Sequence, residues 1–203
     1  MLVSKKAPEF TATAVMPDNE IKEISLADYQ GQKVVLFFYP LDFTFVCPTE
    51  LLAFDHRIAE FEKRGVQVLG CSIDSQFSHL AWKNTATDQG GIGQVKYPLV
   101  ADLDKNIARA YDVLIGRDDE GNGGAVALRG SFLIDEEGVV QHAVINNLPL
   151  GRNIDEMLRM VDTLNYHQKH GEVCPAGWQE GDAGMNASPE GVAAYLSENA
   201  EKL

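Results

Sequence analysis

Six consecutive apolar residues, Val34-Val35-Leu36-Phe37-Phe38-Tyr39, stand between Gly31 and Pro40. A short, unbroken β-branched and aromatic run of this kind predicts a central strand covered on both faces. Beyond Pro40 the period changes. Leu51, Phe54, Ile58 and Phe61 recur every three or four residues, predicting a helix that opens at Pro48 and stops at Gly65, after Lys63 and Arg64. Val66 to Ile73 reads as a second buried strand. A helix from Gln76 to Thr87, a loop over Asp88 to Gly93, a strand from Tyr97 to Ala101 and a short helix from Asn106 to Tyr111 follow. This β-α-β-α-β order predicts parallel crossovers. Gly130 to Asp135, the turn Glu136-Glu137-Gly138 and Val139 to Val144 then predict a hairpin that adds antiparallel strands. The expected fold is therefore α/β, a mixed sheet flanked by helices. Helical spacing returns from Ile154 to Tyr166, and after about His167 the core periodicity ends. The glycine-rich stretch to Gly184 and a last short helical pattern from Pro189 to Leu196 read as a C-terminal arm, dividing the chain into 1–166 and 167–203.

Composition bounds the function. With 203 residues, 45% hydrophobic and 23% charged, the chain can bury one full core. A net charge of -13 without a Lys/Arg cluster repels phosphate backbones and anionic headgroups, so neither nucleic acid nor a membrane surface is an expected partner. No apolar run reaches the roughly 18 residues of a membrane span, and Lys5 and Lys6 precede no apolar signal region. A soluble, cytoplasmic protein is the expectation. Cys47, Cys71 and Cys174 are too few and too scattered for a secreted disulfide scaffold, and in a reducing compartment they are free thiols or transient redox partners. Cys71, inside an apolar strand, reads as core packing. The five histidines show no pairing with cysteine at ligand spacing, so no metal site is expected.

The chemistry concentrates in Pro40-Leu41-Asp42-Phe43-Thr44-Phe45-Val46-Cys47-Pro48-Thr49-Glu50. Cys47 lies just before a proline that can open a helix, at the end of the dipole where unpaired amides favour a thiolate. Glu50 occupies the place where a Cys-x-x-Cys motif would carry its second sulfur, which excludes a vicinal disulfide and disfavours a dithiol oxidoreductase of thioredoxin type. With Cys47 as N-cap, Glu50 would stand in a capping-box position, reaching back to the first turn or orienting an arginine. Thr44 supplies a hydroxyl that both donates and accepts, and Pro40 shields the pocket without exposing an amide.

Pro40, Thr44 and Cys47, spaced P-x-x-x-T-x-x-C and continued by Pro48-Thr49-Glu50, resemble the active-site signature of the peroxiredoxins. Together with Leu128-Arg129-Gly130 and Val173-Cys174-Pro175, they are similar to the typical two-cysteine branch, which includes alkyl hydroperoxide reductase C subunits and thioredoxin peroxidases. The resemblance implies a thioredoxin-like fold and reduction of hydrogen peroxide and small organic hydroperoxides, with no metal, flavin or haem as cofactor. It implies Cys47 as the peroxidatic cysteine, Thr44 and Arg129 as holders of the peroxide, Pro40 as a pocket wall, Glu50 in support, and Cys174 as the resolving cysteine of a partner subunit. An arginine ahead of a strand is ordinarily a solvated edge residue, and only the motif singles out Arg129. The resemblance further implies a homodimer that exchanges arms, often assembled as a decamer, with thioredoxin or a flavoprotein disulfide reductase as electron donor. A holdase chaperone activity is a second reading, suggested by the family's oxidised assemblies and by an arm carrying Trp178 and Tyr195. Trp82 and Phe77 read as core or interface aromatics.

Gly90-Gly91-Ile92-Gly93 is similar to the family's GGLG element, which acts with a YF pair in the tail to slow local unfolding and expose the peroxidatic sulfur to over-oxidation. Here the loop leucine is Ile92 and the tail offers Tyr195-Leu196, which implies intermediate sensitivity. Deleting residues 191–203 is expected to lower the yield of sulfinic acid at Cys47 when peroxide is titrated and the product is weighed by mass spectrometry; an unchanged yield would mean that the tail does not brake resolution.

Overall fold

The computed structural model describes residues 1–116 and 124–202. The chain forms two compact units, Met1–Ile154 and Asp155–Leu203. The first is built on a seven-stranded sheet. Its strands are β1 (Thr11–Val15), β2 (Ile21–Ser25), β3 (Lys33–Phe38), β4 (Val66–Ser72), β5 (Leu99–Ala101), β8 (Arg129–Ile134) and β9 (Val140–Asn146), in the order β2-β1-β5-β4-β3-β8-β9. A separate two-stranded ribbon pairs β6 (Leu114–Ile115) with β7 (Val126–Ala127). The helices are α1 (Cys47–His56), α2 (Ile58–Lys63), α3 (Gln76–Lys83) and α4 (Asn106–Ala110).

β3 pairs parallel with β4 and antiparallel with β8, and β4 pairs parallel with β5. The sheet is mixed, as the crossover order and the hairpin predict. All six residues of β3 are buried, as a continuous apolar run requires of a strand with both faces covered. Alternation sends successive rings to opposite faces. Phe37 stacks on Phe54 of α1 with ring centroids 4.1 Å apart, while Phe38 meets Phe132 of β8 edge-on at 5.9 Å. Cys71 sits fully buried in β4, and burial, with the Asp102 charge beside it, pushes its thiol well above the usual value.

Three local readings are corrected. The helix predicted from Pro48 to Gly65 begins one residue earlier and is two helices, because the Arg57 amide turns to the Phe54 carbonyl and tightens the chain there. The helix from Gln76 stops at Lys83 rather than Thr87. Its end is packed by the following loop: the Trp82 indole donates to the Gly90 carbonyl at 2.9 Å, and a side chain at Gly91 would run into the Thr85 backbone. Gly90 and Gly91 are thus demanded by a left-handed turn and a close approach. Trp82 is fully buried, whereas Phe77 is exposed. The hairpin of β1 and β2 is absent from the predicted elements, because Thr11-Ala12-Thr13-Ala14-Val15 offers only small residues to a period-two pattern.

The second unit contains most of α5 (Ile154–His170), four residues longer than its sequence period suggests, and α6 (Pro189–Asn199). Between them Val173 and Met185 exchange two backbone hydrogen bonds of 2.9 Å. Trp178 is 3% exposed; its ring lies 4.8 Å from that of Tyr166, its indole donates to the Asp182 carbonyl, and its own carbonyl accepts from Arg159. The Ser188 hydroxyl caps α6 by accepting from the Gly191 amide at 3.0 Å. Among the described residues no helix is long and apolar enough to cross a membrane.

Leu69 lies at the centre of β4 opposite Leu36, fully buried. Leu69→Ala is expected to lower the stability of the fold by about 2 to 5 kcal/mol, the range for truncating a buried leucine. Urea denaturation followed by far-ultraviolet circular dichroism measures it.

Candidate active site

The site forms where β3 ends and α1 begins. Continuing the antiparallel register of β3 and β8 brings Arg129, the first residue of β8, level with Tyr39, so a residue 82 positions downstream reaches Cys47. Cys47 occupies the first turn of α1 and is fully buried. At that position the helix leaves its leading amides without intrahelical partners, and the dipole adds positive potential.

The Thr44 Oγ1 lies 2.9 Å from Cys47 Sγ and 2.8 Å from the Leu41 carbonyl oxygen. A hydroxyl carries one proton and accepts through its lone pairs. With Cys47 as a thiol, the S–H donates to Thr44, which donates to Leu41; with Cys47 as a thiolate, the hydroxyl turns and donates to sulfur. Both states are satisfied by one rotation.

Arg129 Nη1 stands 3.4 Å from Cys47 Sγ and donates to Glu50 Oε2 at 2.7 Å, while its Nε donates to the Leu148 carbonyl at 2.6 Å. It is 3% exposed, far from the solvated edge position that its place in the sequence suggests. Glu50 is buried as well. Its carboxylate also takes three donations from Arg152: the backbone amide at 2.9 Å and Nε at 2.8 Å to Oε1, and Nη2 at 2.9 Å to Oε2. The expected capping box does not form. Val46 precedes the helix with no side-chain cap, and Glu50 turns inward, because two buried guanidiniums reward a carboxylate more than a single backbone amide does. The alternative, a carboxylate that orients an arginine, is what the chain adopts.

Burial raises the Glu50 pKa, and Arg152, through its hydrogen bonds and charge, together with the Arg129 charge, more than reverses this, holding the carboxyl below its ordinary value. Two guanidiniums against one carboxylate leave one unbalanced positive charge among buried side chains.

Arg152 is the residue that sequence reasoning missed. In Gly151-Arg152-Asn153 it reads as a loop cation before a helix, and no motif marks it. In the fold its Nη1 donates to the carbonyls of Phe38 and Gly130 and to the Ser131 hydroxyl, and its guanidinium lies 5.3 Å from the centroid of the Phe37 ring. It thus joins the ends of β3 and β8 to α1.

A cleft of about 670 Å3 opens beside this cluster. Pro40, Thr44 and Arg129 line it together with apolar Leu41, Phe45, Val126 and Leu148. The fold therefore brings Pro40, Thr44, Cys47, Glu50 and Arg129 into one place. Cys174 belongs to the second unit. It is a half-buried free thiol whose sulfur lies 3.6 Å from the Thr163 carbonyl, and burial pushes its pKa up.

The model of the AhpC/TSA family matches residues 3–143, and that of the C-terminal domain of 1-Cys peroxiredoxin matches residues 164–198. The chain is 57% identical to alkyl hydroperoxide reductase C of Helicobacter pylori strain J99 over the whole of both chains. It is 51% identical to peroxiredoxin-1 of Gallus gallus, covering 96% of this chain and 95% of that one. Among solved structures it is similar to the reduced 2-Cys peroxiredoxin of Plasmodium vivax, with a TM-score of 0.92 and 49% identity over 97% of this chain and 99% of the other.

Because the Glu50 carboxyl is depressed in the folded state, its stabilisation is complete above the ordinary carboxyl value of 4.5 and is lost as pH falls through the lower folded value. Glu50→Gln is expected to cost about 3 to 5 kcal/mol at neutral pH, the price of leaving a buried guanidinium unpaired. The gap from wild type should narrow in acid. Urea midpoints of both proteins across that pH range test the sign, and a gap independent of pH contradicts it.

Proposed function

The chain belongs to the AhpC/TSA family and is a peroxiredoxin, a thiol-dependent peroxidase, and on that premise we propose that Cys47 is its peroxidatic cysteine and Cys174 its resolving cysteine. The Cys47 thiolate attacks one oxygen of the hydroperoxide. The O–O bond breaks, the departing oxygen takes a proton and leaves as water or an alcohol, and Cys47 is left as a sulfenic acid. The Cys174 thiol of a partner subunit then condenses with it, forming a disulfide and releasing water. A donor, thioredoxin or a flavoprotein disulfide reductase, returns both sulfurs to thiols. We further assign 1–166 to the peroxidase domain and 167–203 to the arm that carries Cys174, within a cytoplasmic homodimer or decamer.

The observation that carries this reading is the convergence of Thr44 Oγ1 and Arg129 Nη1 on Cys47 Sγ, at 2.9 and 3.4 Å. Lowering a thiol pKa from about 8.5 to about 6 raises the thiolate fraction at pH 7 only about thirtyfold. Donors aimed at the charge developing on the departing oxygen contribute more, since losing one costs about 2.7 to 4 kcal/mol, a factor of 10² to 10³. Arg129 and the leading amides of α1 are placed for that role, and Glu50 and Arg152 keep Arg129 from turning away. Pro40 and the apolar wall of the cleft exclude water around the breaking bond.

Cys47→Ser is expected to abolish peroxide consumption. Cys174→Ser should still consume one equivalent and accumulate a sulfenic acid trappable with dimedone. After stoichiometric peroxide, wild type should run on a non-reducing gel as a linked dimer; an unlinked monomer with both thiols still open to alkylation contradicts the assignment. Turnover with each purified donor distinguishes the two reductants.

A further inference from the structure

One phenol closes the neck of the loop that carries Cys174. Tyr166 stands near the end of α5, where its hydroxyl donates to Glu172 Oε2 at 2.6 Å and its oxygen accepts from the Gly184 amide at 3.2 Å. Glu172 and Gly184 directly precede Val173 and Met185, the two residues that exchange backbone hydrogen bonds across the neck. A single atom therefore ties both sides of the loop to the helix. The Glu172 carbonyl is held there as well, 2.7 Å from His167 Nδ1. The approach is close: a side chain at Gly184 would run into the Tyr166 ring and the Glu172 carboxylate.

The Tyr166 ring has supports of its own, with centroids 4.5 Å from His170 and 4.8 Å from Trp178. The bond to Glu172 pushes the phenol above its ordinary value, so it keeps the proton that it donates. Within the closed loop Cys174 is half-buried, and its Sγ faces the Thr163 carbonyl of the same helix at 3.6 Å. A disulfide holds its two sulfurs about 2.05 Å apart. To reach a sulfur of another chain, Cys174 must turn away from that carbonyl, and because Cys47 is fully buried the meeting requires a segment to open. The two bonds at the Tyr166 hydroxyl oppose opening on the Cys174 side.

We propose that Tyr166 is a positioning residue for the resolving step: its hydroxyl, bonded at once to Glu172 and Gly184, holds the Cys174 loop shut and so delays condensation of Cys174 with an oxidised Cys47. The inference rests on the reading of Cys47 and Cys174 given above. The delay has a chemical consequence. While the sulfenic acid waits, a second hydroperoxide can transfer one oxygen to it, leaving Cys47 as a sulfinic acid and departing as water or an alcohol; condensation with Cys174 prevents that step. Through the loop, the Tyr166 hydroxyl sets the division between these two fates.

Tyr166→Phe keeps the ring and removes only the hydroxyl. After one equivalent of hydrogen peroxide, followed by acid quenching and non-reducing gels, it is expected to close the Cys47–Cys174 disulfide roughly tenfold faster than wild type, the worth of one hydrogen bond to a charged group. The rate of the first step, read as loss of peroxide, should be unchanged, and the peroxide concentration giving half-maximal sulfinic acid should rise by the same factor as closure. Mere support of the fold would move a urea midpoint without splitting the two steps. Closure no faster than in wild type overturns the proposal, whereas the absence of this disulfide from both proteins overturns the underlying reading of Cys174. A double-mutant cycle adds a second test. In a Glu172→Ala background, where the charged acceptor is gone, the gain from Tyr166→Phe should shrink, and an undiminished gain overturns the role of the hydroxyl. In the reduced protein the Val173 and Met185 amides should exchange hydrogen faster in Tyr166→Phe than in wild type while those of β3 do not change; equal exchange at all of them also overturns it.

Discussion

The buried Glu50 carboxylate, shared between Arg129 and Arg152, is the interaction on which the rest of the structure depends. A lone buried carboxylate would be costly, and so would either guanidinium without it. Together they fasten three separate parts of the chain: the first turn of α1, the start of β8 and the segment leading into α5. Arg152 extends the fastening to the last carbonyl of β3 and to the β8 backbone. The chemistry inherits its geometry from this arrangement, because Arg129 Nη1 is held by Glu50 at the same time as it faces the sulfur.

The site's polarity follows from the same arrangement. One carboxylate cannot balance two guanidiniums, and the helix terminus adds further positive potential, so the vacancy in charge falls where Cys47 sits. Thr44 adds a group indifferent to the protonation state of the sulfur, since one rotation converts it from acceptor to donor. Cys71, an equally buried thiol, has different surroundings; burial, with Asp102 near, drives its thiol toward the neutral form. Environment, not residue type, separates the two sulfurs.

The second unit presents its thiol differently. Cys174 is half-buried, follows the short bridge between Val173 and Met185, and lies in a segment ordered by Trp178, Tyr166 and Arg159. Its pKa is raised by burial, so it is poorly suited to attack peroxide itself. One thiol thus faces a cationic cluster, whereas the other, with Arg159 and Glu172 of opposite charge near it, is governed by burial.

The strand Lys33–Phe38, the parallel crossovers, the closing hairpin and the sulfur at a helix start were all legible in the chain, because each rests on local periodicity or on contiguous residues. Pro40, Thr44 and Cys47 lie within eight positions and announce themselves as a motif. The β1–β2 hairpin escaped because small residues leave no periodic signal, and the break at Arg57 because a single tightened turn leaves none either. Arg152 and the His79–Asp42 pair escaped for a different reason: their partners stand 102 and 37 residues away in sequence, and nothing local distinguishes a buried, paired side chain from a solvated one. The order of elements and the place of the Cys47 sulfur at a helix start were thus settled by the sequence itself. That Glu50 turns inward to be shared between Arg129 and Arg152, and that His79 meets Asp42 in the turn before Cys47, were decided only by long-range packing, because desolvation and charge pairing exist only once distant segments have met.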